Sequence, residues 1–177
     1  MTSRSRTRTS LYEWLAIVSA SLIVITLIFT FMFRFVDVDG TSMEPTLRNG
    51  ERLILSSLPY TPKRGDIVVV SEGNEREPLI KRIIGLPGDT IRIDENTGDV
   101  YVNGKVLNEP YVSSPTSTEG MTGSVTVPEG MVFIMGDNRA PGCSRDSRSS
   151  NCYSQSAIVG KVIWRIAPTD RFGGLYD

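Results

Sequence analysis

An uncharged, almost wholly apolar run over residues 14–33 limits the architecture more than any other feature of the chain. Its length of about 20 residues is what a helix needs to cross the hydrocarbon core of a bilayer. The few Ser and Thr within it can satisfy their hydroxyls inside a helix. Tyr12 and Trp14 stand where interfacial aromatics belong, and Arg4, Arg6 and Arg8 precede the run with no acidic residue among them. By the positive-inside rule the N-terminus is expected in the cytoplasm and the remainder outside, a single pass through the cytoplasmic membrane. A cleavable leader fits less well, because residues 31–35 (Phe-Met-Phe-Arg-Phe) offer no small-x-small cleavage site. The expected organisation is a basic cytoplasmic tail over 1–10, an anchor over 11–34 and an extracytoplasmic domain over 35–177.

Beyond the anchor the chain reads as strands and turns, so the expected class is mostly β. Candidate strands span 52–56, 66–70, 79–86, 90–94, 100–102, 105–107, 124–127, 131–135 and 159–166. They are rich in Ile, Val and Thr and bounded by Gly, Pro, Asn or Asp. Asn103-Gly104 is a hairpin turn signal. The continuous apolar run 67–70 implies a strand buried on both faces, and no internal repeat is present. Residues 113–123, rich in Ser, Thr and Gly, read as a mobile loop. Residues 138–155 are polar yet interrupt a well-patterned domain, and a loop of that length inside a compact domain usually has a purpose.

The chain has no histidine and a net charge of −1. Ser-His-Asp and Cys-His catalysis are therefore excluded, as are His-ligated zinc sites. Two cysteines cannot complete a four-ligand site, so no metal or other cofactor is expected, and the charge argues against nucleic-acid binding. Any hydrolytic base must come from Lys, Asp, Glu, Tyr or a terminal amine.

Four segments carry candidate chemistry: Gly-Thr-Ser-Met-Glu-Pro-Thr-Leu over 40–47, Arg-Gly-Asp-Ile-Val-Val-Val over 64–70, Lys-Arg-Ile-Ile-Gly-Leu-Pro-Gly-Asp-Thr over 81–90, and Gly-Asp-Asn-Arg over 136–139 with Ser-Arg-Asp-Ser-Arg over 144–148. Gly40 and Pro45 force a sharp path around Ser42, able to present a hydroxyl and a backbone N–H to an oxyanion. Lys81 shares a strand face with Leu79 and Ile83, Arg82 with Ile80 and Ile84; neither face is plainly wet. Burial would disfavour the ammonium form of Lys81, whereas an edge-strand Lys-Arg pair would merely discourage aggregation. Asp137, Arg139, Asp146 and Arg148 are either solvated loop charges or a clamp, Asp146–Arg148 or Asp137–Arg148. Cys143 and Cys152 are expected to form a disulfide, worth about 2.5–3 kcal/mol in the chain-entropy view. Met43 and nearby apolar residues are candidates to dip into the membrane interface.

In this order these segments resemble the motifs of bacterial type I signal peptidases, from the anchor to about residue 166. The resemblance implies an antiparallel β catalytic domain with a small inserted β-ribbon region at about 93–127. It implies a Ser-Lys dyad without cofactor: Ser42 as acylated nucleophile, Lys81 as neutral base and Ser144 orienting the lysine amine. Asp137, Asp146 and Arg148 would hold the scaffold. Substrates would be signal-peptide-bearing preproteins leaving the export machinery, bound as an extended strand and cut after small residues (Ala-x-Ala). Some family members carry a serine where this chain has Gly40, so the Ser42 N–H must do more for the oxyanion, and Gly40→Ser is expected to be tolerated. The spacer over 140–143 is also longer than usual in the family. Two other classes remain: self-cleaving regulators of the same Ser-Lys kind, which carry a DNA-binding segment for which the anchor leaves no room, and an anchored protein without catalytic activity.

Overall fold

A computed structural model describes residues 3–71 and 77–176. The chain forms two units, Met1–Arg34 and Phe35–Asp177.

The first is one helix, α1 (Ser3–Met32), which includes most of the basic tail as well as the apolar run. Its apolar side chains, such as Leu15, Leu22 and Phe29, are exposed, as expected of a surface meant for lipid. The hydroxyls of Thr26 and Thr30 each bond the carbonyl four residues back, at 2.8 Å in both cases, and Ser19 bonds Ala16 O at 3.0 Å. The helix gives way directly to a strand at Phe33, where β-favouring Phe and Val residues take over.

The strands are β1 (Phe33–Asp37), β2 (Arg52–Ser56), β3 (Ile67–Val70), β4 (Leu79–Gly85), β5 (Thr90–Ile93), β6 (Val100–Val102), β7 (Lys105–Val106), β8 (Ser124–Thr126), β9 (Met131–Met135), β10 (Tyr153–Ser154) and β11 (Ile158–Ala167). A helical turn, α2 (Ser147–Ser150), lies between β9 and β10. Seven strands form one sheet in the order β1-β2-β11-β3-β4-β9-β10 and four form another, β7-β6-β5-β8. The fold is thus mostly β. The second sheet starts at Thr90 rather than near 93: Ile91 and Ile93 are buried and Arg92 exposed, and β5 pairs with both β6 and β8 as one of the two inner strands. Asn103 and Gly104 turn the β6–β7 hairpin with φ of 53° and 77°. Strands β1 and β10, the latter inside the stretch read as loop, are short edge strands that the sequence pattern did not reveal.

The centre of the large sheet, β3 and β4, positions the site. All four β3 residues are buried. Ile67 and Val69 join a cluster with Met43, Leu47, Leu53 and Val162, while Val68 and Val70 join Ile83, Ile134 and Tyr153 on the opposite face. Each such apolar side chain contributes about 1.5–3 kcal/mol. Met43 is in this core, 1% exposed, and so is not a membrane-dipping residue. Antiparallel pairing sets Val68 opposite Lys81 and Ile67 opposite Arg82, so β4 carries two adjacent cations into the interior on opposite faces.

Gly160 lies where β11 is squeezed between β2 and β3. A Cβ there would run into the Ser56 carbonyl oxygen and come within 3.0 Å of Leu55 Cγ. Gly160→Ala is expected to destabilise the domain by about 1–3 kcal/mol through overpacking. Urea unfolding checks this: the midpoint should fall at unchanged slope, and an unmoved midpoint would contradict the packing described.

Candidate active site

Ser42 sits on a tight turn pinned at several points. Glu44 N–H donates to Thr41 O at 3.1 Å and Leu47 N–H to Met43 O at 2.9 Å. Met43 and Leu47 drive the turn into the core. Gly40 opens it with φ of 86° and donates its N–H to Asn49 Oδ1 at 2.8 Å. That left-handed conformation disfavours any L side chain, so Gly40→Ser is strained although no atom stands in the way of its Cβ. The expectation of easy tolerance is corrected on that ground.

Lys81 is 3% exposed, and its Nζ donates to Ser42 Oγ at 2.7 Å and to Ile80 O at 3.0 Å. The two residues, 39 apart in sequence, are thus in direct contact. They line a cleft of about 330 Å³ together with Val36, Val38, Leu79 and Ile80.

Arg82, on the other face of β4, meets Asp137. Nε reaches Oδ1 at 2.8 Å and Nη2 reaches Oδ2 at 2.6 Å, a bidentate pair with Asp137 wholly buried. Nη1 donates to Gly65 O at 2.9 Å. Burial works against the Arg82 charge, but the hydrogen bond and charge of Asp137 outweigh it and raise its pKa. Thr46 Oγ1 donates to Asp137 Oδ2 at 2.5 Å, which ties the Ser42 turn to the same carboxylate. Arg82 and Thr46 are the participants that sequence reading missed. Local pattern allows Arg82 either an edge or a buried place, and a partner 55 residues away is invisible to it.

Of the two clamps considered, Asp146–Arg148 is the one formed: Nε to Oδ1 at 2.9 Å and Nη2 to Oδ2 at 2.8 Å. Asp146 also caps α2 through Arg148 N–H at 3.2 Å, and accepts from Gly136 N–H at 3.0 Å and from the Ser144 hydroxyl at 2.7 Å. Gly136 is the point where these strands of structure meet. A Cβ there would collide with both the Ser42 carbonyl oxygen and the Ser144 hydroxyl. Asn138 completes the contact, its N–H on Ser42 O at 3.0 Å and its Nδ2 on Thr41 O at 3.2 Å. Arg139 is fully buried rather than solvated.

Two expectations for the loops change. Residues 113–123 are tied down: Ser117 N–H donates to Arg139 O at 3.0 Å, and Ser117 O accepts from Arg148 Nη1 at 2.8 Å. Cys143 and Cys152 are free thiols, not a disulfide. Cys152 packs against the apolar cluster beneath the second sheet, where burial raises its pKa, while Cys143 N–H closes the Ala140 turn. Among the described residues no group of three or more His, Cys, Asp or Glu could hold a metal.

The residues brought together are thus a serine hydroxyl and a buried lysine amine on a β scaffold. The signal peptidase, peptidase S26 family matches residues 11–167. The chain is 40% identical over 176 residues to signal peptidase I of Bacillus licheniformis, covering 93% of this chain and 89% of that one. It is 31% identical over 182 residues to signal peptidase IB of Staphylococcus aureus, with 92% of each covered. A crystal structure of a signal peptidase I from Enterococcus faecalis, 31% identical, overlaps 58% of this chain and 97% of that one with a TM-score of 0.46. The chain belongs to the signal peptidase family, peptidase S26. Its activity is that of a signal peptidase I, a hydrolase.

Burial raises the Asp146 carboxyl pKa, but the Arg148 hydrogen bond and charge, then Gly136 N–H and Ser144, bring it below the ordinary 3.8. A depressed folded-state pKa contributes stability that is present above the unfolded value and lost as pH falls through the folded one. Asp146→Asn is therefore expected to cost about 3–5 kcal/mol at pH 7, with Arg148 left unpaired, and to lose less than wild type on acidification below about pH 4. Urea midpoints of both proteins at pH 7 and pH 3 check this; equal acid losses would contradict it.

Proposed function

We propose that Ser42 and Lys81 are a catalytic dyad that removes N-terminal signal peptides from exported preproteins. The observation that carries the reading is the 2.7 Å approach of Lys81 Nζ to Ser42 Oγ at a nitrogen buried within the sheet. Removing an amine from water works against its charged form, and a neutral amine is a base.

In the proposed reaction Ser42 Oγ attacks the scissile carbonyl carbon while Lys81 takes the hydroxyl proton. The proton passes to the leaving amine as the C–N bond breaks, leaving an acyl ester on Ser42. Lys81 then takes a proton from water as that oxygen attacks the ester, and returns it to Ser42 Oγ. The Ser42 backbone N–H stabilises the oxyanion. Ser144 orients the lysine amine, held for that task by Asp146. Asp137, Asp146 and Arg148 keep the surrounding segments in place.

The substrate lies extended along the cleft, against the Val36–Val38 edge, with small residues of an Ala-x-Ala sequence nearest Ser42. Edge strand β1 offers the unpaired backbone this mode requires. The exposed apolar helix anchors the enzyme in the cytoplasmic membrane, N-terminus inside and the β domain on the extracytoplasmic side, where leaders emerge.

Ser42→Ala and Lys81→Ala should each lower cleavage of a leader-bearing preprotein by at least about 10³-fold while the domain stays folded. The assay follows product formation by gel, with circular dichroism for the fold. Turnover near wild type in either variant eliminates the dyad.

A further inference from the structure

The second sheet reaches back to the site through the segment between β7 and β8. Glu109 accepts from Arg139 Nη1 at 3.0 Å and from Arg139 Nη2 by a shorter bond. Arg139 also gives Nε to Gly136 O and Nη1 to Thr116 Oγ1, both at 2.8 Å. Tyr111 donates its hydroxyl to Glu109 Oε1 at 2.9 Å and lays its ring over the Arg82 guanidinium, 3.8 Å from Cζ. Burial first, and the Glu109 charge next, hold that hydroxyl above its ordinary pKa, so it remains a donor.

These contacts close a circuit: Asp137 to Arg82, Arg82 to Tyr111, Tyr111 to Glu109, Glu109 to Arg139, and Arg139 back to Gly136. Both ends of the 136–139 segment, the one whose Asn138 and Gly136 abut Ser42 and Ser144, are therefore held by residues of one loop. The same loop also holds Arg82, the residue next to Lys81 on β4.

We infer that Glu109 and Tyr111 form a clasp that positions Ser42 and Lys81 relative to each other. They are positioning residues, since each acts through an arginine. The inference rests on the dyad reading above. The second sheet also contains its own comparison, Arg92 over the Tyr101 ring at 4.0 Å, the same kind of contact on an exposed surface with no link to the site.

The test uses the full chain in detergent micelles with a peptide substrate bearing Ala-x-Ala before the cut, kcat being normalised to folded protein by near-ultraviolet circular dichroism. Tyr111→Leu and Glu109→Gln should lower kcat roughly tenfold with KM within about twofold, because misplaced reacting groups cost rate rather than binding. Tyr111→Phe, which keeps the ring over Arg82, should recover most of the kcat lost in Tyr111→Leu. Tyr101→Leu should leave kcat unchanged. Wild-type kcat in folded Tyr111→Leu, or equal losses in Tyr111→Leu and Tyr101→Leu, would overturn the clasp. Lys81→Ala run alongside separates the two ideas: turnover there sinks the dyad, whereas an inactive Lys81→Ala beside a fully active Tyr111→Leu sinks only the clasp.

Discussion

Two consecutive cations on a strand buried on both faces set the problem that the rest of the domain solves. Lys81 and Arg82 follow each other on β4, so they point to opposite sides of a sheet whose neighbours are Ile67, Val68 and Met135. An uncompensated buried charge costs several kcal/mol, and each side answers differently. Arg82 keeps its charge and takes a wholly buried carboxylate, Asp137, in bidentate contact. Lys81 instead turns its amine to a hydroxyl and a carbonyl. The pair of residues thus divides into a structural cation and the nitrogen proposed as the base.

The polar loop between β9 and β10 follows from the same constraint. A carboxylate brought inside to meet Arg82 needs its own segment held in place, and Asp146 with Arg148 does this at the N-terminus of α2. Buried ion pairs of this kind add little net stability compared with apolar packing, but removing one partner is costly because the other charge remains. Their effect here is geometric. Asp146 gathers Gly136 N–H, Ser144 and Arg148 at one point, and Gly136 has no Cβ because the Ser42 carbonyl and Ser144 hydroxyl occupy that space.

Local pattern revealed what local physics decides. The apolar run became one exposed helix, the 67–70 run a doubly buried strand, and Asn103-Gly104 a hairpin with both φ positive. The face alternation around Lys81 and Arg82 was also legible, with Leu79 and Ile83 packing on one side and Ile80 on the other. What could not be read was choice of partner. Asp137 had three arginines available in its own loop, Arg139, Arg145 and Arg148, and took Arg82 instead, 55 residues earlier, because β4 places it there. The free thiols have the same origin: the position of Cys152 is set by the apolar cluster under the second sheet, not by its separation from Cys143 in sequence. Residues 113–123 look mobile by composition, yet their backbone bonds Arg139 and Arg148, long-range contacts that composition does not encode.

The absence of histidine explains where the proposed base must lie. An imidazole titrates near neutrality in water, so a histidine base can sit on a solvated loop. A lysine becomes a base at neutral pH only when water is kept from its ammonium form, and a loop cannot do that. The middle of a sheet can, which is why the proposed base occurs on a central strand flanked by β3 and β9. A nitrogen fixed so deep cannot move to meet its serine. The serine must be delivered to it on a turn held by the core through Met43 and Leu47 and by Asp137 through Thr46. On this argument the number of polar residues around the site reflects the precision of that delivery rather than the number of groups that exchange protons.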